Sequence, residues 1–276
     1  MSKVSLSEPV VSVAWLYENL EAENLIIFDT SIPKVMDAIA NTATDIQLPN
    51  AQFFNLKESF SDLSSAFPNT IPSEVQFQTE ARKLGVNKNS AIVVYDDKGI
   101  YSSARVWWLF KTFGHNNVAV LDGGLPQWLA QNYPTQLKKA NIKVEGDFEA
   151  HFKAGNVIYF SDLETVSHNK NHTILDARSE DRFYSRVPEP RAGLRSGTIP
   201  NSKSLPFEMC LENGKLKSKT ELQNIFKTLT EEENSLIFSC GSGLTACILD
   251  LAATVADYKN TKVYDGSWTE YGTLKQ

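Results

Sequence analysis

The chain has 276 residues, of which 42% are hydrophobic and 22% are charged, and its formal net charge at pH 7 is −6. This length and balance are typical of a globular protein with one large domain or two of ordinary size. The acidic balance argues against nucleic acid or an anionic membrane as the main partner. The three cysteines are too few for a disulfide framework, and no Cys or His spacing is typical of a metal site.

The start of the chain contains no basic region followed by an apolar stretch, and no apolar run has the length needed to cross a bilayer. We therefore expect no signal peptide and no membrane segment. A reducing cytoplasm fits this pattern and the small number of cysteines best.

Short β-rich runs alternate with helical patterns along the whole chain. In the first half, strands are predicted at 25–28, 92–95 and 118–121, and helices at 12–20, 75–84 and 103–113. In the second half, strands are predicted at 173–175, 236–238 and 262–264, and helices at 161–169, 220–229 and 244–255. This alternation predicts an α/β fold in which a mostly parallel sheet carries helices on both faces.

Four short segments recur in the same order in the two halves, at nearly constant spacing. Such a recurrence indicates a duplication. It predicts a first domain at residues 1–135, a polar linker at 136–155 and a second domain at 156–276. The matching pairs are Leu25-Ile-Ile-Phe-Asp29 with Thr173-Ile-Leu-Asp176, Leu48-Pro-Asn-Ala51 with Ile199-Pro-Asn-Ser202, Ile92-Val-Val-Tyr-Asp96 with Leu236-Ile-Phe-Ser-Cys240, and Val120-Leu-Asp-Gly123 with Val263-Tyr-Asp-Gly266.

Cys240 follows a buried strand pattern and opens the segment Cys240-Gly-Ser-Gly-Leu-Thr245, after which a helical pattern begins. Backbone N–H groups in a glycine-containing loop and at a helix start favour an anion. The segment therefore predicts that Cys240 is a thiolate nucleophile at the carboxyl end of a strand, where open parallel sheets bind ligands. In the first half Asp96 stands at the position of Cys240. Because a carboxylate cannot carry covalent sulfur, we expect the first domain to be inactive.

The duplication and the loop after Cys240 resemble the two-domain rhodanese-type sulfurtransferases, and the resemblance covers almost the whole chain. It implies two tandem rhodanese-like domains. In that family, a loop similar to this one, which contains neither Arg nor Lys, is associated with 3-mercaptopyruvate as the substrate. A loop that contains both an Arg and a Lys is associated with thiosulfate, whose two negative charges favour cations. Further motifs that carry the resemblance are Arg105-Val-Trp-Trp108, Phe113-Gly-His115, Leu121-Asp-Gly-Gly124, Pro188-Glu-Pro-Arg191, Ser196-Gly-Thr-Ile-Pro200 and Asp265-Gly-Ser-Trp268.

The resemblance implies that Cys240 takes a sulfane sulfur from a small donor, 3-mercaptopyruvate or thiosulfate, and carries it as a persulfide. The acceptor would be cyanide or a thiol, such as thioredoxin or a small dithiol, and neither a metal nor an organic cofactor is needed. The residues with implied catalytic roles are Cys240 and Ser242. Those with implied roles in substrate binding are Arg182, Arg191, Gly241, Gly243, Leu244 and Thr245.

Asn55 and Asn69 stand where the mercaptopyruvate enzymes of the family have an Asp and a His that pair with the loop serine. Asparagine is not a general base, so either Ser242 acts without such a relay or the donor preference is broader. Two alternatives stay open, a thiosulfate:cyanide sulfurtransferase and a non-catalytic rhodanese binding module. A cysteine phosphatase is disfavoured, because Ala246 stands where a phosphatase loop has its arginine.

Overall fold

A computed structural model describes residues 2–32, 45–139, 144–231 and 234–275. The chain divides into two compact units. Unit 1 comprises Met1–Ser61, Ile71–Lys153 and Asn213–Leu216, and unit 2 comprises Asp62–Thr70, Ala154–Glu212 and Lys217–Gln276. The described residues of the predicted linker, up to Lys153, therefore belong to unit 1. Each unit also contains a short segment from the other half of the sequence.

Unit 1 consists of short strands and helices in alternation. Ser12 and Ser73 cap its first two helices, because their hydroxyl groups accept hydrogen bonds from the backbone N–H groups of Trp15 and Gln76. In chain order the elements are β1 (Val10–Val11), α1 (Val13–Glu18), β2 (Leu25–Asp29), β3 (Ile46–Gln47), β4 (Gln52–Phe53), α2 (Glu74–Lys83), β5 (Ala91–Tyr95), α3 (Ser102–Thr112), β6 (Val118–Leu121), α4 (Gly124–Ala130) and β7 (Gln136–Leu137).

The main sheet of unit 1 has five parallel strands in the order β1-β6-β5-β2-β4. Strand β2 shows how both faces are covered, because successive side chains of a strand point to opposite faces. Ile27 packs in a cluster with Leu16 of α1 and Trp128 of α4. The next residue, Phe28, stacks against Phe110 of α3, with ring centroids 6.0 Å apart. Helices therefore bury apolar side chains on both faces of this sheet.

Unit 2 repeats the pattern with its own strands and helices. In chain order the elements are β8 (Val157–Ile158), α5 (Phe160–His168), β9 (His172–Asp176), α6 (Glu180–Phe183), β10 (Lys203–Ser204), β11 (Leu211–Glu212), β12 (Lys215–Leu216), α7 (Lys219–Lys227), β13 (Ser235–Ser239), α8 (Ala246–Val255), β14 (Thr261–Tyr264) and α9 (Ser267–Leu274). Of these, β12 falls within the segment Asn213–Leu216 that belongs to unit 1.

The main sheet of unit 2 has five parallel strands in the order β10-β9-β13-β14-β8. Read from its other edge, this is the strand order of unit 1, as a duplication requires. Ile237 of β13 clusters with Leu163 of α5 and Trp268 of α9. Its neighbour Phe238 faces Phe226 of α7, with centroids 6.4 Å apart. The predicted α/β fold, with a mostly parallel sheet and helices on both faces in each half, is confirmed.

Helix α8 begins two residues later than the sequence pattern predicts. Leu244 and Thr245 remain in the loop, because Gly243 turns the chain with a φ of +78° before the helix starts at Ala246. The sequence pattern predicted an earlier start because the apolar periodicity of the helix extends back to Leu244, and this periodicity gives no sign of the turn at Gly243. Among the described helices, none is long and apolar enough to cross a membrane.

The loop after β5 in unit 1 is closed around the carboxylate of Asp96, which is fully buried. Its Oδ1 accepts a hydrogen bond from Lys98 N at 2.9 Å. Its Oδ2 accepts from Tyr101 N at 2.7 Å, from Ser103 N at 2.9 Å and from Ser103 Oγ at 2.6 Å. A loop between a strand and a helix start thus binds an anion through backbone N–H groups, and in this unit the anion is part of the chain.

Replacing Asp96 with alanine is expected to destabilise unit 1. The substitution removes the carboxylate that accepts from one buried and two partly buried backbone N–H groups, which costs about 3 kcal/mol. The urea midpoint of unfolding measures this loss. Asp97→Asn is the neighbouring control, because Asp97 is partly exposed and pairs with Lys98 Nζ, and such a pair contributes about 1 kcal/mol or less. Equal midpoints for the two variants would contradict the structural role of Asp96.

Candidate active site

Cys240 directly follows β13, the central strand of the unit 2 sheet. Its neighbours β9 and β14 end at the same edge, because the three strands are parallel. Residues that follow these strands are therefore brought together although they are far apart in sequence. Cys240 is almost completely buried, with 1% of its surface exposed.

A backbone N–H group is directed at the sulfur of Cys240. Gly243 N donates to Cys240 Sγ at 3.1 Å, which is possible because Gly243 adopts a left-handed conformation. The N–H groups of Ser242, Leu244 and Thr245 have no acceptor within the described part of the chain. The start of α8 follows at once and adds the positive end of its dipole. The loop therefore favours negative charge on or next to this sulfur.

The beginning of α9 fixes the same loop from the other side. Ser267 Oγ accepts hydrogen bonds from Cys240 N at 3.0 Å and from Gly243 N at 3.2 Å, and it lies 3.7 Å from Cys240 Sγ. Its own proton is donated to Tyr264 O at 2.9 Å. Trp268 N and Thr269 N donate to the carbonyl groups of Cys240 and Gly241, each at 2.9 Å. The loop thus has a fixed conformation before any ligand binds.

Ser242 is held by two side chains from distant parts of the sequence. Asn69 Nδ2 donates to Ser242 Oγ at 3.1 Å and to Ser242 O at 3.0 Å. Arg191 Nη2 donates to the same Oγ at 3.2 Å, and its Nη1 donates to Thr269 Oγ1 at 3.3 Å. Both asparagine and arginine act here as donors, so neither removes a proton from the serine hydroxyl.

A buried charge network lies beside the loop and fixes Arg182. Glu189 accepts from Arg178 Nη1 at 2.8 Å and from Arg182 Nη2 at 2.6 Å. Arg178 also pairs with Asp176, the last residue of β9, at 2.7 Å. Burial opposes the charged form of Arg178, but Asp176 and Glu189 outweigh it and raise the pKa of the guanidinium. The two carboxylates therefore balance the two buried or partly buried cations.

The absence of a side chain at Gly241 makes room for Arg182. A Cβ atom on Gly241 would lie 3.0 Å from Arg182 Nη2, which is closer than an ordinary contact. The guanidinium group therefore lies directly against the backbone of the residue that follows Cys240. A cation is present at the loop although the loop sequence itself contains none.

The other two cysteines do not share the environment of Cys240. Burial raises the pKa of the Cys210 thiol to about 12, so this thiol stays protonated at neutral pH. Cys247 is buried in α8 and its Sγ donates to Gly243 O at 3.3 Å. Within the described ranges, no three His, Cys, Asp or Glu side chains are grouped as the ligands of a metal ion would be.

The structure brings all of the predicted site residues together around Cys240. Ser242, Gly241 and Gly243 form the loop, with Arg182 and Arg191 beside it, while Leu244 and Thr245 complete the turn into α8. Of the two asparagines that stand for the family's Asp and His, Asn69 contacts Ser242. Asn55 belongs to unit 1, where its amide donates to Glu58 Oε2 at 2.8 Å.

Four residues with clear contacts to this site were not predicted as site residues: Asn69, Glu189, Ser267 and Thr269. The sequence contains a signal for three of them. Glu189 lies inside the motif Pro188-Glu-Pro-Arg191, and Ser267 inside Asp265-Gly-Ser-Trp268. Asn69 stands where the resemblance places a histidine that pairs with the loop serine, but its residue type argued against a role. Thr269 has no signal, because its contact with Arg191 joins residues far apart in the chain.

A family model described as "Rhodanese-like domain" matches residues 12–131 and 160–273 of this chain. A 3-mercaptopyruvate sulfurtransferase from Escherichia coli K12 is 35% identical, over 95% of this chain and 94% of its own length. Thiosulfate/3-mercaptopyruvate sulfurtransferase 1 (mitochondrial) from Arabidopsis thaliana is 36% identical, over 99% of this chain and 78% of its own. The crystal structure of Escherichia coli SseA, a 3-mercaptopyruvate sulfotransferase, superposes with a TM-score of 0.84 at 32% identity, covering 95% of this chain and 99% of that one.

A side chain at position 241 is expected to push the Arg182 guanidinium a few tenths of an ångström away from the loop. Gly241→Ala should therefore reduce the preference of Cys240 for anionic over neutral alkylating reagents, since the cation that attracts the anion moves away. The measurement is the ratio of the alkylation rates with iodoacetate and iodoacetamide. Gly155→Ala is the control, because no atom lies within 4 Å of a Cβ placed there. An unchanged ratio in Gly241→Ala would contradict the role of Arg182.

Removing the Ser267 hydroxyl is expected to loosen the loop around Cys240. Ser267 has a φ of +52°, so Ser267→Gly deletes the hydroxyl without adding backbone strain. Cys240 N loses its acceptor and Gly243 N keeps only Cys240 Sγ, so we expect a loss of about 2 kcal/mol in the free energy of unfolding. Urea denaturation measures it. A variant as stable as the wild type would show that the hydroxyl does not hold the loop.

Proposed function

The chain belongs to the rhodanese-like family, and we propose that it is a sulfurtransferase that moves a sulfane sulfur from 3-mercaptopyruvate to a thiol or to cyanide through a persulfide on Cys240. The observation that carries this proposal is the hydrogen bond from Gly243 N to Cys240 Sγ at 3.1 Å, at the start of α8. An N–H group directed at sulfur favours a thiolate and then a persulfide anion. The names of the relatives from Escherichia coli and other organisms support 3-mercaptopyruvate as the donor.

In the first step the Cys240 thiolate attacks the sulfur atom of 3-mercaptopyruvate. The new bond joins the two sulfur atoms, and the carbon–sulfur bond of the donor breaks. The bonding electron pair goes to the organic fragment, which leaves as pyruvate enolate. The thiol proton of the donor ends on the methyl carbon of pyruvate, so that the persulfide is left as an anion. The step needs no oxidant, and both electrons stay within the reacting atoms.

The way in which the unit 1 loop binds Asp96 supports, by analogy, binding of a Cys240 persulfide by backbone N–H groups in unit 2. Asp96 aligns with Cys240, and a carboxylate oxygen is three bonds from Cα, as is the outer sulfur of a cysteine persulfide. Three N–H groups hold that carboxylate. We propose that Ser242, Leu244 and Thr245 N–H groups hold the outer sulfur in the same manner. With Asp96 in place of a cysteine, the domain at residues 1–135 is proposed to be inactive, and the one at 156–276 catalytic.

Arg182 and Arg191 are proposed to bind the carboxylate and keto oxygen of the donor. Both guanidinium groups lie beside the loop, against Gly241 and Ser242 respectively. A planar guanidinium suits a carboxylate, because it presents two parallel N–H groups. Glu189 fixes Arg182, so little conformational freedom is lost when the donor binds.

In the second step a thiolate or cyanide attacks the outer sulfur and regenerates the Cys240 thiolate. Thioredoxin, a small dithiol and cyanide are the proposed acceptors, each of which supplies the electron pair for the new bond. All three cysteines are free thiols, which is typical of a reducing compartment, and we propose the cytoplasm as the location.

Thiosulfate is a second candidate donor. Arg182 places a cation against Gly241 although the loop has none of its own, and this favours the dianion. The name of the Arabidopsis relative contains both donors. A higher kcat/KM with thiosulfate than with 3-mercaptopyruvate would make thiosulfate the preferred donor.

Intact-mass measurement after incubation with 3-mercaptopyruvate tests the proposal. The wild type should gain the mass of one sulfur atom, and Cys240→Ser should gain nothing and lose all transfer to cyanide. Cys210→Ser is the matched control and should keep both, because Cys210 is buried and protonated. A wild type that gains no sulfur from either donor would favour a binding module.

Arg182→Ala and Arg191→Ala should raise KM for 3-mercaptopyruvate more than for thiosulfate.

A further inference from the structure

We propose that Asn69 makes Ser242 a hydrogen-bond donor to the substrate: Asn69 and Arg191 occupy the lone pairs of the serine hydroxyl, and its proton is directed to the keto oxygen of 3-mercaptopyruvate. Asn69 is then a positioning residue, since it acts through Ser242. This inference rests on the proposed function and deepens it. In this chain a neutral asparagine amide, which donates to Ser242, takes the place of a histidine that would accept its proton.

The orientation of the Asn69 amide follows from its contact with the backbone. Ser242 O is a carbonyl oxygen and can only accept, so the amide group 3.0 Å away must be the NH₂ group. The second hydrogen of that group is directed at Ser242 Oγ, 3.1 Å away. One NH₂ group thus binds two acceptors of the same residue and fixes both the backbone and the side chain of Ser242.

The hydroxyl oxygen of Ser242 accepts on both of its lone pairs. The donors are Asn69 Nδ2 at 3.1 Å and Arg191 Nη2 at 3.2 Å. A hydroxyl has two acceptor lone pairs and one proton, and that proton has no acceptor among the residues that the structure describes. Ser242 is buried, with 7% of its surface exposed. A buried O–H group with its lone pairs occupied is suited to donate to a bound ligand.

The segment that carries Asn69 is held in place by its own hydrogen bonds. Asp62 N donates to Thr70 O at 2.9 Å, and Thr70 Oγ1 donates to Phe67 O at 2.9 Å. Asn69 itself adopts a φ of +58°, a conformation that asparagine tolerates better than most residues. The amide is therefore presented to Ser242 by a preformed turn within unit 2.

The consequence for the reaction is that Ser242 keeps its proton throughout. When the carbon–sulfur bond breaks, negative charge develops on the keto oxygen as the enolate forms. A hydroxyl that already points at this oxygen stabilises the charge, and the positive Arg191 strengthens the hydroxyl as a donor. When thiosulfate is the donor, the leaving group is sulfite and no enolate forms. The effect of Asn69 on this donor should therefore be smaller.

Two substitutions at Asn69 test the direction of the hydrogen bond. Asn69→Gly removes the amide and keeps the left-handed backbone without strain. Asn69→Asp keeps the size and tolerates the same backbone, but it replaces the donor with an acceptor that captures the Ser242 proton. With 3-mercaptopyruvate we expect kcat to fall about tenfold in Asn69→Gly and about a hundredfold in Asn69→Asp, with smaller losses for thiosulfate.

Asn132→Gly and Asn132→Asp are the matched controls, because Asn132 is an exposed asparagine with a φ of +57°. Neither should change kcat with either donor. If Asn69→Asp is as fast as Asn69→Gly or faster with 3-mercaptopyruvate, an acceptor at this position helps the reaction and the proposal is overturned. A wild type that transfers sulfur from thiosulfate but not from 3-mercaptopyruvate contradicts the proposed donor instead, before any variant is made.

A double-mutant cycle with Ser242→Ala separates positioning from a merely structural role. Without the serine hydroxyl, Asn69→Asp and Asn69→Gly should have equal kcat values, because the proton they compete for is gone. If the difference between them persists in the Ser242→Ala background, Asn69 does not act through Ser242 and the inference fails. Urea midpoints of all variants show whether a loss of kcat reflects unfolding.

Discussion

The candidate active site depends on a hydrogen bond from a backbone N–H group to sulfur, made where a central strand passes into a helix. Gly243 N reaches Cys240 Sγ only because the chain turns left-handed at this glycine before α8 begins. Ser267 holds both residues through one oxygen atom, and the first turn of α9 binds the carbonyl groups of the loop. This arrangement fixes the loop around Cys240 Sγ and directs a backbone N–H group at it.

The two halves of the chain place different acidic groups, a carboxylate and a thiol, in the same loop between a strand and a helix. In unit 1 the carboxylate of Asp96 fills the loop and bonds its N–H groups permanently, which contributes to stability. In unit 2 the sulfur of Cys240 accepts one N–H group, and several others have no acceptor in the described ranges. The same fold thus holds a carboxylate at this position in one copy and a thiol in the other.

Charged and polar groups around the loop are arranged so that each is fixed by another. Glu189 lies between Arg178 and Arg182, which keeps two guanidinium groups close together without repulsion. Asn69 and Arg191 hold the Ser242 hydroxyl oxygen from two sides. Such preorganisation matters because the groups need not reorient when charge develops during the reaction. Asn69 and Arg191 both contact Ser242 as hydrogen-bond donors, a role for which asparagine has the required NH₂ group.

The sequence alone determined the order of strands and helices, the duplication, and the position of Cys240 between a strand and a helix, because these depend on local periodicity, on repeated segments and on residues adjacent in the chain. Gly241, Ser242 and Gly243 follow from the same local segment. Only the tertiary structure decided that Ser267 holds the loop, that Arg182 lies against Gly241, and that Asn69 contacts Ser242 whereas Asn55 contacts Glu58. These contacts join residues far apart in sequence, and they depend on which strands end at the same edge and on where each loop returns, which local patterns do not contain.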